Sequence, residues 1–271
     1  SLLTLAHMYS NGDGVERNYK KAVNYYEKAA EQDDSEAQTD LGIIYQKGIN
    51  GVIEKDPQKA AELYQKAADK GVVLAQFNLG VLYSKGDTGF PQNKEKAFNL
   101  FQLAADQGDA DAQLNLAAMC ARGEALDHPD IDKAVKLYKQ AAKQGNMKAQ
   151  FNLGVMYAKG NGVEKNPAKG IKYYERAADQ GMHQAMLNLG VIYFKGADGI
   201  AVDKPKAAEL FERASDKNLR ALFNLAVMKQ KGDGIEKDER KAIELYEKAA
   251  DMNSAEALLN LGIIYYEGSE I

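Results

Sequence analysis

Cysteine, proline and tryptophan are scarce in these 271 residues: one Cys, five Pro and no Trp. With Cys120 alone, no intrachain disulfide and no thiolate-rich metal site can form. A disulfide-free chain fits a reducing compartment, and equally a periplasm or the outside of a cell. No Asn-x-Ser/Thr acceptor occurs, which argues against a glycosylated secretory protein. No apolar run approaches the roughly 18 residues that cross a bilayer, so no membrane segment is expected. A basic excess is also missing. Thirty-five Lys and Arg face 39 Asp and Glu, a net charge of −4, which argues against indiscriminate nucleic-acid binding through dense phosphate neutralisation. No Pro/Ser-rich tract or charge block divides the sequence, so residues 1–271 read as a single array. The opening SLLTLAHMYSNG reads as part of a helix, not as a leader. The last residues, Gly268–Ile271, follow another such helix, and neither end carries a polar capping unit, as in a section of a longer protein.

Repetition is what the sequence has in abundance. The phrase AQFNLGVMYAKGNGVEKNP at Ala149–Pro167 recurs in degraded form throughout. Its Leu-Gly/Ala pair falls at Leu5-Ala6, Leu41-Gly42, Leu79-Gly80, Leu116-Ala117, Leu153-Gly154, Leu189-Gly190, Leu225-Ala226 and Leu261-Gly262. The intervals are 36, 38, 37, 37, 36, 36 and 36 residues, the period of a solenoid. Each unit predicts two helices. Helix A carries A-x-x-x-L-G-x-x-Y, as in Ala75, Leu79, Gly80 and Tyr83, an apolar arc at about 100° per residue. Helix B carries K-A-x-x-x-[YF]-x-x-A-A, as in Lys133-Ala134, Tyr138 and Ala141-Ala142, with i, i+4, i+7, i+8 amphipathic spacing. Gly-x-Gly-Val connectors (Gly12–Val15, Gly160–Val163) end helix A. Asp56-Pro57 and Asn166-Pro167 open helix B as N-cap and N1, and Gly71, Gly108, Gly145 and Gly181 close it. These signals predict an all-α fold, an α-solenoid of antiparallel helix pairs.

The combined pattern A-x-x-x-L-G-x-x-Y-x-x-G, G-x-G-V and K-A-x-x-x-Y-x-x-A-A closely resembles Sel1-like repeats, relatives of the tetratricopeptide repeat. The resemblance covers essentially the whole chain, as seven helix pairs and a final helix A. It departs at Gly123–Pro129, where the second glycine is lost, and at Gly170, which replaces the helix-B alanine at a cost of about 1 kcal/mol in propensity. The family's cysteine-rich subgroup, with a disulfide in each repeat, is no guide here. The resemblance implies a right-handed superhelix and a scaffold role in protein complexes, in eukaryotic protein quality control or in bacterial signalling and host-cell interaction. With a single cysteine and no sequon, a bacterial protein acting within or against a host cell is favoured.

Chemistry-bearing residues are sparse. The Gly-x-Gly turns follow no strand and lack a third glycine, so they read as turns and not as a dinucleotide loop. His7, His128 and His183 occupy unrelated repeat positions with no recurring partner, which argues against a metal or a general base. Cys120 takes the slot of Tyr83 and Tyr157 and reads as a buried, inert thiol. Met119, Met156 and Met228 read as core filling. No cofactor, metal or catalytic constellation is expected, and the chain reads as non-enzymatic.

Counted from the frame alanine, helix-A positions three and seven lie about 40° apart, away from the main packing arc. They carry Phe77, Phe151 and Phe223, then Val81, Val155, Val191 and Val227. Position ten varies and includes Phe194. Position eleven is basic: Lys85, Arg122, Lys159, Lys195, Lys231. The resemblance implies that these positions line the concave face, giving an apolar trough with a basic edge for an acidic peptide or partner helix. Two alternatives remain open at this level: burial of the trough by superhelical packing, and a spacer or self-assembling module without a groove. An Asn recurs at position four (Asn78, Asn115, Asn152, Asn188, Asn224, Asn260) and is expected to hold neighbouring repeats together or to meet a bound backbone.

Overall fold

The computed structural model describes residues 1–49, 51–266 and 268. Residues 267 and 269–271, on which part of the end-of-array reading falls, lie outside the described residues. Fifteen α-helices account for the regular structure, and three isolated bridges stand in place of strands among the described residues.

The chain forms two compact units, Ser1–Gln144 and Gly145–Ile271. The first contains α1 (Leu2–Asn11), α2 (Tyr19–Glu31), α3 (Ser35–Lys47), α4 (Pro57–Asp69), α5 (Val73–Lys85), α6 (Lys94–Asp106), α7 (Ala110–Arg122) and α8 (Ile131–Lys143). The second contains α9 (Met147–Lys159), α10 (Pro167–Asp179), α11 (His183–Lys195), α12 (Lys204–Ala214), α13 (Leu219–Lys231), α14 (Glu239–Asp251) and α15 (Ala255–Tyr266). Odd-numbered helices carry the helix-A frame and even-numbered ones the helix-B frame.

The helix boundaries follow from local chemistry. Every helix B starts on an Asn or Asp whose side chain accepts the backbone N–H three residues on, from Asn18 through Asp56, Asn93, Asp130, Asn166 and Asp203 to Asp238. These side chains satisfy donors that the first turn leaves open. Gly71, Gly108, Gly145 and Gly181 then take φ between +83° and +93° just beyond helix B, a conformation that costs glycine nothing. At the loop without its second glycine, Ala125 is held at φ +61°, where Gly14, Gly162 and Gly234 stand elsewhere.

Packing within a pair turns on the glycine of the Leu-Gly frame. A Cβ on Gly42 would lie 2.6 Å from the Tyr64 ring, one on Gly154 2.6 Å from Tyr174, and one on Gly190 2.5 Å from Phe211. The glycine is a notch that receives the helix-B aromatic. Gly170 has its own reason: a Cβ there would meet the Gly154 carbonyl oxygen at 3.0 Å, so close approach accompanies its lower helix propensity. The helix-B lysine also has a recurring job. Its ammonium sits over the helix-A tyrosine, 4.0 Å from the ring centre for Lys59 and Tyr45, 4.4 Å for Lys169 and Tyr157, and 4.2 Å for Lys206 and Tyr193. Where Cys120 replaces that tyrosine, Lys133 moves over Phe98.

Successive repeats are joined by a relay of glutamines that the sequence reading missed. In α3, α5, α7 and α9 the second frame residue is a buried glutamine, a position that Met186, Leu222 and Leu258 take in α11, α13 and α15. In Gln76 and Gln113 the glutamine Nε2 donates to the Ala68 and Ala105 carbonyls at the end of the preceding helix B. Its Oε1 accepts from the glutamine closing the following helix B: Gln107 to Gln76 at 2.8 Å, Gln144 to Gln113 at 2.9 Å and Gln180 to Gln150 at 2.8 Å. Gln144 and Gln180 also donate to the Gly108 and Gly145 carbonyls. The first rung is broken. Lys70 holds the place of the donor glutamine and bonds the Asp33 carbonyl and carboxylate, which leaves Gln38 Oε1 buried without a partner.

Candidate protein-binding site

Positions three and seven are neither core nor fully open. Phe77, Phe151 and Phe223 are half-buried, as are Val81, Val155, Val191 and Val227. Each phenylalanine leans on the aromatic that fills the notch of its own pair or the equivalent site: Phe77 on Phe101 at 5.9 Å, Phe151 on Tyr174 at 5.7 Å, Phe223 on Tyr246 at 5.7 Å. The strip is therefore braced from below by the pair's own packing. At this position Thr39 and Leu187 are instead buried.

Lys85, Arg122, Lys159, Lys195 and Lys231 are all exposed in the last turn of their helix A. There a cation complements the negative end of the helix dipole, a sufficient local reason for the periodicity. Arg122 is also tied to Glu124 at 2.5 Å, which Lys94 approaches at 3.5 Å. Among the described residues the four lysines form no ion pair and remain available charge.

Cys120 is fully buried and its thiol is pushed up by burial. His7, at position seven of the first helix, meets Asp40 with Nε2 2.8 Å from Oδ2, a pairing the repeat pattern did not show. Asn115 and Asn260 donate back to the carbonyl four residues earlier, while Asn188 bonds the hydroxyl of Tyr174 in the preceding repeat. The frame asparagine thus serves the fold at these places. Among the described residues no group of three or more His, Cys, Asp or Glu is placed to hold a metal ion.

Position ten explains where the strip opens. When helix B presents a tyrosine, position ten can supply its hydroxyl partner: Ser10 for Tyr26, Gln46 for Tyr64 at 2.8 Å and Gln230 for Tyr246 at 2.8 Å. Burial pushes the Tyr26 and Tyr246 hydroxyls up to about 12, so they stay neutral donors. In the α11–α12 pair the aromatic is Phe211, which asks for no partner, and position ten is Phe194. Between α11 and α13 lies a cleft of about 270 Å³ that gathers five sequence-predicted residues, Val191, Phe194, Lys195, Phe223 and Val227. Phe211, Met228, Asn224 and Arg220 complete it. Phe77, Val81, Lys85 and Arg122 belong to the first unit, and Phe151, Val155, Lys159 and Lys231 to other stretches of the second; none lines this cleft. Sequence reasoning missed Arg220. It stands at the residue before the frame alanine, which is Glu36, Leu74 and Asp111 in the first unit and Lys148, Gln184, Arg220 and Glu256 in the second, so no regular pattern marked it.

Tandem pairs of helices with a shared frame and a ring-in-notch contact define a helical repeat solenoid. The Sel1 repeat model matches eight times, over residues 2–34, 35–72, 73–109, 110–146, 148–182, 183–219, 219–254 and 255–271. The chain belongs to the Sel1 repeat family, whose members are in general protein-interaction scaffolds. Its structure is similar to a protective antigen with an SLR fold from uropathogenic Escherichia coli strains, at 35% identity and TM-score 0.87, covering 98% of this chain and 56% of that one. It thus spans little more than half of that antigen's length. A Sel1 repeat protein from Oxalobacter formigenes is 31% identical with TM-score 0.82, covering 97% of this chain and 75% of that one. No curated protein matches the chain significantly.

Proposed function

We propose that this chain is a non-enzymatic scaffold that holds a peptide segment or helix of a partner protein on the helix-A strip. Positions three and seven would take apolar side chains, and the position-eleven lysines would favour acidic ones. The observation that carries this reading is the coexistence of half-buried apolar side chains and unpaired exposed lysines on the same helices. A strip of that kind retains apolar surface that a partner can still remove from water. Both relatives are bacterial and one is a protective antigen, which supports a bacterial scaffold working at the contact with a host.

Affinity capture from the source bacterium and from host lysate tests it, using the wild-type chain and a Val81→Glu/Val155→Glu variant whose fold is first checked by circular dichroism. A folded variant that loses a specific prey is the expected result. Unchanged capture would move the binding surface off these helices.

A further inference from the structure

We propose that the cleft between α11 and α13 is an anchor pocket for one bulky apolar side chain of a partner segment, flanked in that segment by Asp or Glu. The proposal rests on the scaffold reading above and assigns it a particular pocket and ligand chemistry.

Three independent features single this place out. The first is its walls. Phe211 and Met228 are almost completely buried and form the floor, while Val191, Phe223 and Val227 are half-buried around it. The second is Phe194. Other complete helix pairs carry Ser10, Ser84, Ala121 and Ala158 there, which are too small to wall off a cavity, or Gln46 and Gln230, whose amide oxygens accept from the Tyr64 and Tyr246 hydroxyls. Phe194 is tolerated because Phe211 has no hydroxyl to satisfy, and the Lys204 ammonium, 5.6 Å from its ring centre, backs it from outside. The volume, about 270 Å³, is enough for a single aromatic or large aliphatic side chain and too small for a folded element.

The third feature is charge. The lining contains two cations, Lys195 and Arg220, and no carboxylate. Among the described residues neither is in an ion pair, and both are exposed. Two unpaired cations beside an apolar cavity complement a segment that offers an apolar group with carboxylates next to it. The Asn224 amide, also in the lining, can serve a backbone group of the same segment. Because the half-buried strip continues along the same helices, the occupant is an internal stretch of chain and not a chain end.

The test uses the purified full chain and a fluorescein-labelled, C-terminally amidated peptide, Ser-Gly-Asp-Glu-Phe-Glu-Asp-Gly-Ser, followed by fluorescence anisotropy. Companion peptides replace Phe by Ala, replace the four acids by Lys, or carry a free C-terminal carboxylate. The acidic Phe peptide is expected to bind. Its affinity should fall by about tenfold or more with Lys195→Glu/Arg220→Glu, with the Ala peptide, or in high salt. Phe194→Ser should weaken it comparably; the charge reversals, at exposed side chains, keep the test valid if that variant folds poorly. Equal binding of the Lys peptide, no effect of the charge reversals, or no binding at millimolar peptide would each overturn the proposal. Binding only with a free carboxylate would overturn the internal-segment assignment. Peptide binding lost to Val81→Glu but not to Lys195→Glu/Arg220→Glu would remove the cleft and leave the scaffold reading standing. Loss only to the cleft variants, with partner capture unaffected by Val81→Glu/Val155→Glu, would do the reverse.

Discussion

Replacing Lys70 by Gln should repair the broken rung of the glutamine relay and stabilise the protein. Gln38 is 1% exposed, and its Oε1 is the buried side-chain atom left without a hydrogen bond among the described residues. An unsatisfied buried acceptor costs about 1–3 kcal/mol. In the intact rungs one terminal glutamine serves both the buried Oε1 and a loop carbonyl, as Gln144 serves Gln113 and Gly108. The new amide can make both bonds. What it gives up is the exchange between the Lys70 ammonium and the Asp33 carboxylate at 2.5 Å, a largely solvated pair whose net value is small. The expected gain is therefore about 1 kcal/mol, read in urea titrations followed by circular dichroism and tyrosine fluorescence. Because repeat arrays need not unfold in one step, hydrogen exchange at α3 and α4 should show the same gain locally. The Lys70 hydrogen bond, foremost, holds the Asp33 carboxyl below its usual range. That contribution is present above the usual carboxylate range and is lost as pH falls through the lowered value. The advantage of Lys70→Gln should accordingly widen in acid. A Gln38→Met background removes the acceptor, and the gain should vanish there. An equal gain with Met at that position, or no gain with Gln38 present, would refute the explanation.

Gly154→Ala should destabilise the second unit by about 1–3 kcal/mol by driving a methyl into the Tyr174 ring, a loss read by chemical denaturation. Ala125→Gly should add about 1 kcal/mol by relieving the positive φ, again read as a shifted denaturation midpoint. Cys120 should resist Ellman's reagent in the native state and react at a rate set by opening of the first unit, since burial both hides its thiol and raises it; rapid labelling without denaturant would contradict its placement.

The repeat frame made the helices readable because each signal has a local cause. Asp56 and Asn166 cap backbone donors, Gly71 and Gly145 turn the chain where other residues strain, and Ala-rich helix B faces need only a period. The glutamine relay was not legible in the same way. Gln76 and Gln107 are 31 residues apart, and each looks like an ordinary polar residue until the neighbouring repeat is placed beside it. Position eleven shows the opposite difficulty. Its lysines stood out clearly, yet their regularity also suits the helix dipole, so the pattern alone could not assign them to a ligand. The residues at positions three and seven lie on helix A, and their half-buried state depends on how far Phe101 or Tyr174 reaches beneath them. Arg220 escaped notice because the α11–α13 cleft departs from the repeat average, and averaging is how the frame was found.

The ring-in-notch contact has a consequence for how such a protein can diversify. Phe151 and Tyr174 touch, so a change at position three disturbs the seam that joins the two helices of a pair. Positions ten and eleven, and the residue before the frame alanine, carry much less of that burden, and there Ser84, Ala158 and Phe194, or Asp111 and Arg220, replace one another without altering the helices. Mutation can therefore change the exposed surface at the margins while the shared frame stays under a separate constraint. Two descendants of one array could keep superimposable backbones and share no side chain at those positions.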